Sequence, residues 1–135
     1  MKKVLAVFLI TIMLMYSGCS NSEHWEFQKP ADQVVGLYIV NIEHFAKYEI
    51  IKELDLSLVD KFYKDVGKLQ LWSDGIGFGP SGLGFVIKYS DTCFTILSCE
   101  LPTEWYDLEK LDGMIFDKEF ITEEFYELVN KYLKI

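Results

Sequence analysis

Hydrophobic and polar positions change rhythm several times along this chain, and each rhythm predicts an element. Val4 to Met15 is apolar apart from Thr11, whereas Ser20 to Lys29 is polar and without period. Val34 to Ile42 is rich in β-branched and aromatic residues, with apolar side chains on both parities. That pattern predicts a strand covered on both faces, with Gly36 as its weak point. Tyr48, Ile50, Leu54 and Leu56 then share one parity, opposite Glu49, Glu53 and Asp55. The alternation predicts a strand with one wet face; Ile51 and Lys52 break it, and a helix over 44–54 is the alternative.

From Ser57 the period lengthens. Leu58, Val59, Phe62, Tyr63 and Val66 fall at helical spacing, with Ser57 as the expected N-cap, Asp60 in the capping-box position and Gly67 placed to end the helix. Leu69 to Trp72 reads as a short strand. Gly84 to Tyr89 and Thr92 to Cys99 read as a hairpin turning at Ser90-Asp91-Thr92. With Asp91-Thr92 as the loop, Tyr89 would face Phe94 and Ile87 would face Ile96. Pro102 breaks the chain ahead of Trp105-Tyr106, and Met114 to Phe116 is an expected edge strand. Thr122 is the expected cap of a last helix, in which Phe125, Leu128, Val129, Tyr132 and Leu133 recur at i, i+3, i+4, i+7 and i+8. Strands, a helix, more strands and a closing helix predict an α+β fold. Its expected form is an antiparallel sheet of about 5–6 strands with two helices packed on one face.

The N-terminal rhythm carries an address. Lys2 and Lys3 precede the apolar run, which is shorter than the roughly 20 residues a spanning helix needs. It has the form of a signal-peptide core. Tyr16-Ser17-Gly18-Cys19-Ser20 follows and resembles the lipobox of bacterial lipoproteins, with Tyr16 where an aliphatic residue is usual. The resemblance implies cleavage before Cys19, a diacylglycerol and palmitate-type chains on that cysteine, and a domain outside the cytoplasm anchored to the cell membrane. Acyl chains contribute about 0.8 kcal/mol per buried methylene, and two or more make anchoring durable. The layout also resembles the small lipoproteins of Gram-positive bacteria. The expected organisation is a signal peptide over 1–18, a lipidated tether over 19–30 and one domain over 31–135.

Charge narrows the partners. The mature part would hold eleven lysines against twenty-one acids, a net charge of −10, with no arginine. Nucleic acid is therefore not an expected partner. Cys93 and Cys99 lie six residues apart in an expected strand, roughly 20 Å, too far for a disulfide unless a turn intervenes.

Candidate chemistry is thin. Gly77-Phe78-Gly79-Pro80-Ser81-Gly82 spells G-x-G-x-x-G, but that motif cradles a pyrophosphate only where a helix follows, and here a strand is expected. His24, in the expected tether, and His44 are the only histidines. Glu100, Glu104, Asp107, Glu109, Asp112, Asp117 and Glu119 punctuate the region after the hairpin, with no spacing that selects a catalytic or calcium-binding pair. A solvated acidic face is expected there. Catalytic residues, metal ligands and cofactors are thus not assigned. Tryptophans on loops suit glycan or peptide contact, so Trp72, Phe78, Trp105 and Tyr106 form the candidate binding rim, with a core role as the alternative. The leading expectation is a tethered, non-enzymatic binding or protein-interaction module. The alternatives are a cell-surface inhibitor or self-protection protein with an acidic face, and a carboxylate-dependent hydrolase.

Overall fold

A computed structural model describes residues 23–44, 47–72, 81–100, 102–107, 110, 112–115 and 118–135. Lipidation at Cys19, the leader, Phe78 and the glycine loop before Ser81 lie outside the described residues.

The fold is α+β. Six antiparallel strands form the main sheet in the order β3-β2-β5-β6-β7-β8. These are β2 (Val34–His44), β3 (Lys47–Glu53), β5 (Gly82–Tyr89), β6 (Phe94–Leu97), β7 (Thr103–Asp107) and β8 (Asp112–Ile115). A second, three-stranded sheet orders β1 (Glu23–His24), β4 (Gln70–Trp72) and β9 (Glu119–Phe120) as β1-β4-β9. Two helices complete the layer, α1 (Val59–Gly67) and α2 (Thr122–Leu133). Among the described residues no helix is long and apolar enough to cross a membrane.

Strand alternation sends Leu37, Ile39, Phe85, Ile87 and Leu97 to the helix side of the main sheet. There they meet Val59, Phe62 and Val66 of α1 and Phe125, Leu128, Val129 and Tyr132 of α2. Phe85 is the hub. Its ring lies 4.8 Å from Phe62 and 6.1 Å from both Phe125 and Tyr132, all edge-on. The other parity builds a second, smaller cluster of Val40, Ile42, Val86, Phe94, Ile96 and Trp105 on the face away from the helices. Both faces of the central strands are therefore apolar, as the double parity of Val34 to Ile42 predicts.

Several local expectations need correction. The hairpin loop holds three residues, not two: Thr92 N–H donates to Tyr89 O, Thr92 takes φ 72°, and Tyr89 N–H donates to Cys93 O. This is a three-residue loop closed by a left-handed residue. The register consequently sets Lys88 opposite Phe94 and Val86 opposite Ile96. One residue of slip exchanges the faces, so Ile87 and Ile96 end in different clusters. Asp55, not Ser57, caps the turn entering α1, its carboxylate accepting from Ser57 N–H at 2.8 Å. Thr122 is the first residue of α2, whose cap position is Ile121. The segment expected as tether is also folded: Glu23 and His24 pair with β4, and Trp25 is 4 % exposed in the main core.

β3 is a strand, not a helix, and the break at Ile51-Lys52 has two causes. A bulge shifts its register, so Ile50 lies opposite Val40 while Lys52 lies opposite Ile39. Lys52 Nζ then donates to Tyr132 O, Leu133 O and Ile135 O, placing a cation on the negative end of α2.

Candidate functional site

The described members of the expected aromatic rim do not assemble. Trp72 lies on β4 of the small sheet and is 55 % exposed. Trp105 lies on β7 of the main sheet, 6 % exposed, its ring stacked at 6.4 Å on Phe94. Trp105 and Tyr106 belong to a strand rather than the loop that Pro102 suggests, and alternation turns the first inward. Tyr106 is 41 % exposed. Among its described members the rim is thus two exposed aromatics on different sheets.

Trp72 flanks a cleft of about 480 Å³, lined by Gln70, Leu71, Trp72, Ile121, Thr122 and Glu123. Sheet pairing builds it: Leu71 lies opposite Phe120 and Trp72 opposite Glu119, while Ile121 N–H donates to Gln70 O. His24, expected as a loose residue, is held here by a ring nitrogen 3.1 Å from Leu69 O.

A polar cluster occupies the other end of the main sheet. Phe27 stacks on Tyr63 of α1 at 3.8 Å, and Tyr63 donates its hydroxyl hydrogen to Lys29 O at 2.9 Å. These contacts carry Lys29 over the Tyr89 ring and into an ion pair with Asp91. The turn fixes Asp91, whose other oxygen accepts from Cys93 N–H at 3.1 Å. Beneath lie the paired hydroxyls of Tyr89 and Thr95, 2.9 Å apart. Glu104 sits opposite Thr95 on β7 and is only 2 % exposed.

A carboxyl in that position changes the expected acidic face. Burial pushes Glu104 above the usual carboxylate range, Lys29 opposes the shift and Asp91 adds to it. Asp91 moves the other way, held down chiefly by its hydrogen bond to Lys29, and Lys29 is raised by the same bond. Burial also raises the Tyr63 and Tyr89 phenols. The cluster therefore sets a carboxyl raised by burial near one lowered by its ion pair, both of them influenced by Lys29. The remaining described acids of this region are dispersed. Glu100 bridges to Glu119 beside the small sheet, whereas Asp112 is exposed on β8.

Both later cysteines are free thiols, and burial raises each of them, as expected for unreactive sulfur. A strand, β5, starts at Gly82 and not a helix, so the G-x-G-x-x-G letters lack the helix N-terminus their phosphate chemistry needs. Among the described residues no group of three or more His, Cys, Asp or Glu is placed to hold a metal.

The sequence reading passed over Glu104 because it stands among other acids. The usable signal was its flanks: Thr103, Trp105 and Tyr106 are strong strand formers, and a strand buried on both faces leaves a central carboxyl no route to water. Compared with known proteins, the chain matches no family model, no curated protein and no solved structure.

Proposed function

We propose that this chain is an extracytoplasmic lipoprotein, anchored to the cell membrane through acylated Cys19, whose domain is a non-enzymatic binding module. What carries the reading is the junction between address and fold. The Ser17-Gly18-Cys19 signature is followed only four residues later by Glu23, already paired in β1. Four residues reach at most about 14 Å, against roughly 40 Å for a tether running to Pro30. The domain is therefore held against the membrane rather than hung from it. Its polar end, with Lys29, Asp91 and half-exposed Tyr106, would lie away from the anchor, because the small sheet joins the main one at the opposite end, where Phe120 N–H donates to Cys99 O. That end would meet a protein or glycan partner.

Labelling cells with palmitate tests the anchor. The expected result is label on the wild-type chain and none on Cys19→Ala; an unlabelled wild type would refute the reading. A carboxylate-dependent hydrolase is the second reading, favoured by the opposed shifts of Glu104 and Asp91. Binding is preferred because Glu104 is buried, leaving no open approach for a scissile bond.

A further inference from the structure

The chain has three tryptophans, and two of them, Trp25 and Trp105, are 4 % and 6 % exposed. Trp72 alone presents its ring to the surroundings, and strand register fixes where. β1 and β4 run antiparallel, with His24 opposite Gln70 and Glu23 opposite Leu71. Glu23 is the first described residue, and Trp72 follows its partner Leu71 directly along β4. The exposed ring thus stands one residue along β4 from the partner of Glu23, which follows Cys19 by four residues.

From this register we infer that Trp72, with the apolar side of the adjoining cleft at Ile121, lies in the interfacial layer of the same bilayer leaflet that takes the Cys19 acyl chains. The inference rests on the lipoprotein reading, because reach is what selects the occupant. At most about 14 Å of chain between Cys19 and Glu23, against a headgroup layer of about 5–8 Å, keeps this edge next to the headgroups. An indole is suited to that layer, its apolar ring shielded and its N–H still within reach of water and ester oxygens. Glu119 opposite Trp72, Glu123 on the cleft and the overall negative charge argue against electrostatic adhesion. Attachment is by ring insertion, into neutral lipid. The ring then acts as a second foothold, converting a single-point tether into a defined orientation.

The test uses the chain extracted from cell membranes, its acylation checked by mass, in phosphatidylcholine vesicles with and without bromine on the upper acyl carbons. Bromine quenches only nearby indoles, and the two buried tryptophans serve as an internal reference. A severalfold loss of the Trp72 emission in brominated vesicles, absent from Trp72→Phe, is expected. Emission indifferent to bromine in a vesicle-bound, acylated chain overturns the inference, as does a loss that persists in Trp72→Phe. A chain that carries no acyl group and does not float with the vesicles defeats the lipoprotein reading, and the inference with it.

Discussion

The two sheets are held by different means. In the main sheet long strands supply continuous ladders, eight register pairs between β2 and β5 alone, and both faces are packed. Among the described residues the small sheet has strands of two or three residues, with two register pairs in each of its ladders. Ladders this short leave the sheet marginal without packing. Its stability comes from side chains that leave the ladder and enter the helix-side core: Trp25, Leu71 and Phe120. Trp25 lies 6.2 Å from Phe120, and Phe120 stacks on Phe125 of α2 at 5.2 Å. The small sheet, the part of the fold nearest the proposed anchor in sequence, is thus clamped by burial.

Removing and adding atoms should separate these two modes. Trp25→Ala empties a large buried site and is expected to cost about 3–5 kcal/mol, the greatest effect foreseen. Hydrogen exchange should show β1 and β9 losing protection before the main sheet does. Equal loss everywhere would mean that the two sheets are one cooperative unit. The main sheet should instead resist atoms added to it. A Cβ at Gly84 would stand 2.2 Å from Leu97 O, a backbone atom of the neighbouring strand segment that cannot swing aside. Gly84→Ala is expected to cost about 1–3 kcal/mol in a denaturant titration, with exchange rising in β5 and β6. A neutral result would show that this part of the sheet can spread.

The smallest effect is distinctive in sign. With Glu104 raised above its ordinary range, the folded chain keeps a proton that the unfolded chain has released. Stability must then fall as pH rises from the ordinary carboxyl range through the raised value, with the loss complete above it. Asp91 and Asp65 are lowered and act oppositely, losing stability as pH falls through their folded values. Glu104→Gln removes only the first slope. The variant should be at least as stable as the wild type at neutral pH, with the gap closing toward acid. A gap that persists at low pH would show that Glu104 matters for packing and not for its proton.

The same contrast explains what could be read along the chain. The long strands and both helices announce themselves, because Leu37, Ile39, Phe85 and Ile87, or Phe125, Leu128, Val129 and Tyr132, repeat often enough to define a period. Two-residue strands define none, so Glu23-His24 passes for tether although Trp25 directly behind it is core. Register depends on one residue of loop, and Thr92 in a left-handed conformation carries no glycine to advertise it. Lys52 spoils an alternation because it answers to the carbonyls ending α2, which are 80 or more positions away. The polar cluster was least legible of all: Lys29, Tyr63, Asp91 and Glu104 come from four separate stretches, and only the closed fold gives Glu104 a depressed tendency to ionise. Trp72 and Trp105 look alike in sequence, yet they lie on different sheets, one ring exposed and the other buried.

The proposed function requires covalent lipid on Cys19, four residues ahead of the first described strand. Intact mass of the polypeptide extracted from its native membrane tests this most directly. The predicted species is residues 19–135 with a diacylglycerol thioether on Cys19. A species that retains residues 1–18, or that begins elsewhere and carries a bare Cys19 thiol, would contradict it.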